Sequence, residues 1–93
     1  ATPSHPVGEM IQEMERWLVI YRNQTGAKTV RLRVHPFTAS YLTCGSPNYL
    51  VRWLMKHMVR VRLNTDETIA PLAYRFEDPN SGNDLTDKYQ YPD

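Results

Sequence analysis

Cysteine is almost absent from this sequence, since Cys44 is the one thiol among 93 residues. A single cysteine excludes an internal disulfide and a zinc site built from paired cysteines within the chain. It favours a reducing compartment, and we therefore expect a cytoplasmic protein. Long apolar runs are also missing: none approaches the roughly 18 residues that span a bilayer, so we expect no membrane partner.

The first residues, ATPSHPVGEM, lack the basic and apolar regions of a secretory signal peptide. They also lack an initiator methionine, which favours processing or excision from a longer protein. A chain of 93 residues suits one small domain. We therefore expect residues 1–93 to be a single domain and a fragment of a longer protein.

Catalytic signatures are missing as well. The sequence has no GxSxG elbow, phosphate-binding loop, GxGxxG or HExxH motif. The histidines His5, His35 and His57 are far apart and show no metal-ligand spacing. A site built from Cys44 and two histidines is the less favoured alternative. We expect Cys44 to be a small buried residue at a helix end, and His35 to cap the helix that Pro36 opens. The chain itself is predicted to be no enzyme and to hold no cofactor or metal.

Acidic residues are absent from the whole middle of the chain. Residues 16–65 contain nine lysines and arginines and no acid, whereas residues 1–15 contain three acids and residues 66–93 contain seven. The net charge of +1 hides this asymmetry. A basic block of this length can attract a polyanion such as RNA. The alternative is an arginine-rich solvated surface that acids elsewhere in the fold balance.

Hydrophobic periodicity predicts an α+β fold in the order α-β-α-α-β-β, with a small mixed sheet of three strands packed with an N-terminal amphipathic helix and two short helices. The predicted elements are a helix over 7–25 that Gly26 stops, a strand over 28–34, a helix opened by Pro36, a helix with Ser46 as N-cap and Pro47 at its first position, a strand over 59–63 and a strand over 69–76. Residues 83–93 are polar and acidic, and we expect a frayed or disordered tail there.

Aromatic residues on the apolar faces of these elements are predicted to be core. They are Trp17, Tyr41, Trp53, Tyr74 and Phe76. In the helix that Pro36 opens, Phe37, Tyr41 and Leu42 are expected to share the inner face.

Arginines alternate with apolar residues along the first two predicted strands. They are Arg31, Arg33, Arg60 and Arg62. If these strands pair with their apolar faces together, four guanidinium groups meet on the opposite face, where they repel unless an anion neutralises them. That anion can be RNA phosphate, which would make the chain an autonomous RNA-binding module. It can equally be Glu77, Asp78 or another acid of this chain or of a neighbouring subunit.

The common RNA-binding modules do not match this pattern. A KH domain needs a GXXG loop, and the four glycines never have that spacing. An RRM needs aromatic residues on its strands, where this chain has arginines.

The segment LRVHPFTASYLTCG, residues 32–45, resembles the C-terminal part of ribonuclease E/G family proteins, especially the ribonuclease G-like proteins of the Bacteroidetes type. In that family a strand leads into a His-Pro-aromatic step, then a short helix with an Ala-x-Tyr-Leu core, then a glycine; here these are residues 34–37, residues 39–42 and Gly45. A tryptophan-containing helix, a basic strand, a Leu-x-Tyr-x-Phe strand and a glycine turn follow in both. The similarity covers about residues 9–85.

The resemblance implies a non-catalytic small domain at the end of a metal-dependent single-strand RNA endonuclease. Such a domain would serve subunit assembly, with auxiliary RNA contact, in RNA processing or decay. The family's catalytic magnesium site and its zinc link between subunits lie upstream of this region, so no catalytic or metal-binding residue is transferred to this chain. The implied partners are the protein's own subunits, other domains of the parent enzyme, and RNA.

Overall fold

The computed structural model describes residues 6–89. The elements are α1 (Pro6–Thr25), β1 (Thr29–Val34), α2 (Pro36–Leu42), α3 (Tyr49–His57), β2 (Arg60–Thr65) and β3 (Tyr74–Glu77). This is the predicted α+β fold, with the predicted order of three helices and three strands. Within the described residues, no helix has the length and apolar character that crossing a membrane requires.

The sheet has the strand order β2-β1-β3, with β1 in the centre. β2 lies parallel to β1, and β3 lies antiparallel to it. The alternating side chains of β1 divide cleanly, since Val30, Leu32 and Val34 are fully buried whereas the residues between them are half-buried. Buried residues of all three helices pack with this apolar face in one core. We call the opposite face of the sheet, which carries the half-buried residues of β1, the open face.

Helix α1 supplies the largest part of the core. One stripe of this helix is buried from Val7 to Tyr21, as its three- and four-residue spacing predicts. Trp17 stacks on Phe76 of β3, with ring centroids 3.8 Å apart and ring planes 4° apart. The helix ends at Gly26, whose φ of +70° is favourable for glycine and whose N–H donates to the carbonyl of Arg22.

The start of α2 confirms one prediction, and its inner face corrects another. Nδ1 of His35 accepts a hydrogen bond from the N–H of Phe37, so His35 is the N-cap as expected. Phe37 and Tyr41, however, are 52% and 41% exposed, and Thr38, Ala39 and Leu42 are the buried residues. Thr38 is held inward because its hydroxyl donates to the carbonyl of Pro71 at 2.6 Å, which turns the two rings outward.

Helix α3 begins two residues later than predicted. Asn48, not Ser46, is the N-cap, and its Oδ1 accepts from the N–H of Val51 at 3.0 Å. Asparagine and serine are similarly good N-caps, so the sequence alone leaves both starts possible. In the structure the helix begins after Asn48. Trp53 is buried, as predicted, and Met58 ends the helix with a φ of +60°.

The third strand is shorter than the predicted range of 69–76, because residues 66–73 form turns. The N–H of Ile69 donates to the carbonyl of Asp66, and the N–H of Ala73 donates to that of Ala70. Pro71 lacks an N–H and cannot extend the ladder backwards, so the strand starts at Tyr74.

Part of the predicted tail over residues 83–93 packs against the core. The carbonyl of Thr86 accepts from the indole N–H of Trp17 at 2.9 Å, and the hydroxyl of Thr86 accepts from the N–H of Phe76. Tyr89 is buried and meets the ring of Trp17 edge-on. Residues 90–93 lie outside the described residues.

Candidate functional site: an arginine face on the open side of the sheet

All four predicted site arginines lie on the open face of the sheet. Arg31 and Arg33 alternate with the buried residues of β1, and Arg60 and Arg62 lie on either side of the buried Val61 of β2. Arg31 is opposite Arg62 in the parallel register, so the two arginines are neighbours on the open face. Arg75 of β3 is opposite Arg33 on the other side. We call these five residues the arginine face.

Sequence reasoning missed Arg75, although the signal was present. Tyr74 and Phe76 were expected to point inward, and the residue between two inward-facing strand residues must point outward. What was missing was the strand order, because only the antiparallel pairing of β3 with β1 places Arg75 beside Arg33.

Glu77 of β3 is an anion within this face, beside the two arginines of β1. Its side chain is 9% exposed, and its Oε1 lies 3.3 Å from Nη2 of Arg33 and 3.8 Å from Nη1 of Arg31. Arg31 also donates to the carbonyl of Pro79 at 3.3 Å, so the turn after β3 covers the pair. Oε1 of Glu77 and Nε of Arg33 are buried without a directed hydrogen bond among the described residues. Both β1 arginines are therefore held by charge attraction within the chain.

Asp66 is a second internal partner for β1. Its Oδ2 accepts a hydrogen bond from Nη1 of Arg33 at 3.3 Å. Its Oδ1 accepts from the hydroxyl and the N–H of Thr68 at 2.6 and 2.9 Å. These bonds from Thr68, followed by the bond from Arg33, lower the pKa of the Asp66 carboxyl. Asp66 therefore stays ionised and fixed beside Arg33.

Arg75 is also paired, since its Nε lies 3.5 Å from Oδ2 of Asp84. Burial opposes ionisation of Asp84, but the hydrogen bonds from the side chain and N–H of Thr86, together with the charge of Arg75, lower the pKa of the carboxyl. On the β3 side of the sheet, every arginine of the face thus has a carboxylate neighbour.

Arg60 and Arg62 differ from the other three arginines. Both are exposed, and neither forms an ion pair with any acid in the described part of the chain. The positive charge of the arginine face that remains available to a partner is therefore concentrated on β2.

The aromatic side chains lie elsewhere. The described residues that point to the open face from the three strands are threonine, arginine, asparagine and glutamate. Single-stranded nucleic acid is bound by cationic grooves together with aromatic rings on which bases stack. The arginine face supplies the cations without the rings.

The predicted alternative of a metal site from Cys44 and two histidines is not formed by Cys44, His35 and His57 in the described part of the chain. Within residues 6–89, no three His, Cys, Asp or Glu side chains are placed to hold one metal ion. Cys44 is exposed and not buried as predicted, because α2 ends at Leu42 and the chain leaves the core there. His57 instead contacts Glu15 of α1, with 2.8 Å between Nε2 and Oε2, and His5 lies outside the described residues.

A second exposed feature is apolar. Val51, Met55 and Met58 follow one another at helical spacing along α3 and are 40%, 73% and 63% exposed. Val51 and Met55 lie on α3, and Met58 is the residue that ends it.

Comparison with known proteins adds no relative: no protein-family model, curated protein or solved structure matches the chain.

Proposed function

We propose that this chain is a non-catalytic docking domain whose arginine face binds acidic side chains of a neighbouring subunit or domain. The observation that carries the proposal is the contrast within that face. Arg31, Arg33 and Arg75 each have a carboxylate neighbour inside the chain, whereas Arg60 and Arg62 have none among the described residues. The same face that holds Glu77 beside Arg31 and Arg33 also carries Arg60 and Arg62, which can bind a carboxylate of another protein.

The resemblance at residues 32–45 supports a context for this role. In a ribonuclease E/G-like protein, the domain would assist assembly of subunits, and the parent's metal-dependent RNA cleavage would be performed by residues outside this chain. The magnesium and zinc of that parent would also be held elsewhere. We propose cytoplasmic RNA processing or decay as the setting.

Auxiliary RNA contact is the second candidate, and the exposed pair Arg60 and Arg62 favours it. Two phosphate contacts to single-stranded RNA correspond to a slope of about −1.4 in log K against log salt, which is shallow compared with dedicated nucleic-acid-binding proteins. Since the face also lacks aromatic rings, RNA binding through it is weak by itself. An acidic protein surface fits the geometry better.

The test compares two polyanions on the same protein. We expect fluorescently labelled poly-L-glutamate to bind and the double variant Arg60→Ala/Arg62→Ala to weaken that binding. The double variant Arg52→Ala/Lys88→Ala removes the same charge from exposed positions off the sheet and is the matched control. A preference for oligouridylate over polyglutamate that depends on Arg60 and Arg62 would replace docking with RNA contact. Loss of binding in both double variants to the same extent would show attraction by net charge alone.

A further inference from the structure

Among the described residues, β2 is an edge strand of the sheet, because β1 is the one strand that pairs with it there. In a parallel pair, alternate residues direct both their N–H and C=O groups at the partner. The N–H of Arg60 donates to the carbonyl of Lys28, and that of Asp66 donates to the carbonyl of Val34. The even-numbered residues of β2 therefore face β1. The backbone groups of Val61, Leu63 and Thr65 face outward, and they form no hydrogen bond within the described chain.

The side chains of β2 point alternately to the two faces of the sheet. Arg60 and Arg62 lie on the open face and are exposed, whereas Val61 is buried and Leu63 is half-buried on the core face. An exposed edge of this kind can pair with another extended chain. Such a chain would hydrogen-bond to the odd-numbered residues and present every second side chain to the arginines.

The opposite edge of the same sheet shows what such a chain would carry. β3 pairs with β1, and its Glu77 is directly opposite Arg31 and close to Arg33. A carboxylate on a strand beside β2 would take the same position relative to Arg60 and Arg62. The alternate side chains of that strand would lie beside Val61 and Leu63 and would be apolar.

A second copy of β2 is a poor occupant of this edge. Two β2 strands side by side would place arginines against arginines on the open face, and like charges opposite each other in a sheet are destabilising. The charge pattern therefore selects an acidic partner over self-association.

We propose that β2 accepts an extended acidic segment of a partner protein as a fourth strand, with carboxylates on alternate residues paired to Arg60 and Arg62. This rests on the proposed docking function and specifies its partner and binding mode.

The experiment uses the whole 93-residue chain and a synthetic peptide of alternating glutamate and valine. Peptide binding is followed by fluorescence anisotropy, and amide hydrogen exchange of the protein is followed by NMR. We expect exchange to slow at Val61, Leu63 and Thr65 on binding. We also expect Arg60→Ala/Arg62→Ala to weaken binding by about tenfold, as two exposed charge pairs predict, while Arg52→Ala/Lys88→Ala has a much smaller effect.

Two N-methylated peptides give a second readout. One carries N-methyl groups on all its glutamates and the other on all its valines. In an extended peptide, glutamates and valines direct their N–H groups to opposite edges, so each peptide has lost the donors along one of its two edges. Strand addition requires that one of these peptides loses binding and the other keeps it. Equal affinities would overturn the fourth-strand mode.

The outcomes separate the two proposals. Binding that depends on Arg60 and Arg62 without protection of the three amides leaves the docking function standing and refutes strand addition. If no acidic peptide binds, both the docking function and strand addition are refuted. If oligouridylate alone binds, both are refuted and RNA contact replaces them.

Discussion

The contact between Trp17 and the C-terminal segment gives the sharpest stability prediction. Trp17 is 1% exposed, stacks on Phe76, and donates its indole N–H to the carbonyl of Thr86, 69 residues further along the chain. The substitution Trp17→Phe keeps an aromatic ring in the core but removes the donor and part of the buried surface.

The expected loss follows from these two changes. A net hydrogen bond contributes about 1 kcal/mol, and the missing part of the indole contributes about 1–2 kcal/mol of burial. We therefore expect Trp17→Phe to lower the free energy of unfolding by about 2–3 kcal/mol. Trp17→Ala would cost about 3–5 kcal/mol, which approaches the whole stability of a small domain.

Trp53 provides the matched control. It is 2% exposed, but it makes no hydrogen bond of this kind across the chain in the described residues. Trp53→Phe should cost about 1–2 kcal/mol, because only buried surface is lost. Urea unfolding followed by far-ultraviolet circular dichroism gives both values. If Trp17→Phe is no more destabilising than Trp53→Phe, the packing of residues 84–89 on Trp17 is wrong.

Three further predictions concern helix ends and pH. Asn48→Ala should lower the free energy of unfolding by about 1 kcal/mol in urea unfolding, whereas Ser46→Ala should have almost no effect; the reverse order would restore Ser46 as the cap. Met58→Gly should raise thermal stability by about 0.5–1 kcal/mol, because glycine adopts the observed positive φ without strain, and a lower melting temperature would contradict that backbone conformation. The hydrogen bond from His57 lowers the pKa of Glu15 against the effect of burial, so its stabilisation is full above the unfolded carboxyl's pKa and is lost as pH falls through the folded pKa. Unfolding free energies measured below about pH 5 should therefore depend less on pH in Glu15→Gln than in the unaltered protein, and identical profiles would exclude the contact.

Local patterns in the sequence were sufficient to predict most of the helices and strands and their order. The alternation of Val30, Leu32 and Val34 predicts the buried face of the central strand, and the His35-Pro36 step predicts the capped start of α2. These features depend on neighbours in the sequence, so they can be inferred without knowing the tertiary arrangement.

Features that depend on packing were harder to infer. A seven-residue helix has no long apolar stripe, and the bond from Thr38 to a distant carbonyl decides that Phe37 and Tyr41 face outward. In the candidate site, the alternation was sufficient to predict that the arginines share one face. It did not predict which acids pair with them. Only the strand order brings Glu77 to Arg31 and leaves the β2 arginines without an acid in the described residues.

The central position of β1 has a consequence for how the protein folds. Its β2 partners lie about 30 residues later in the chain and its β3 partners about 45 residues later, and such distant contacts slow folding because loop closure precedes any stabilisation. During synthesis, β1 emerges from the ribosome before either neighbouring strand has emerged. The nascent chain therefore carries an apolar strand with two open edges until residues 60–77 emerge, and the sheet closes late. We expect this interval, more than the finished fold, to be when the chain depends on protection from aggregation.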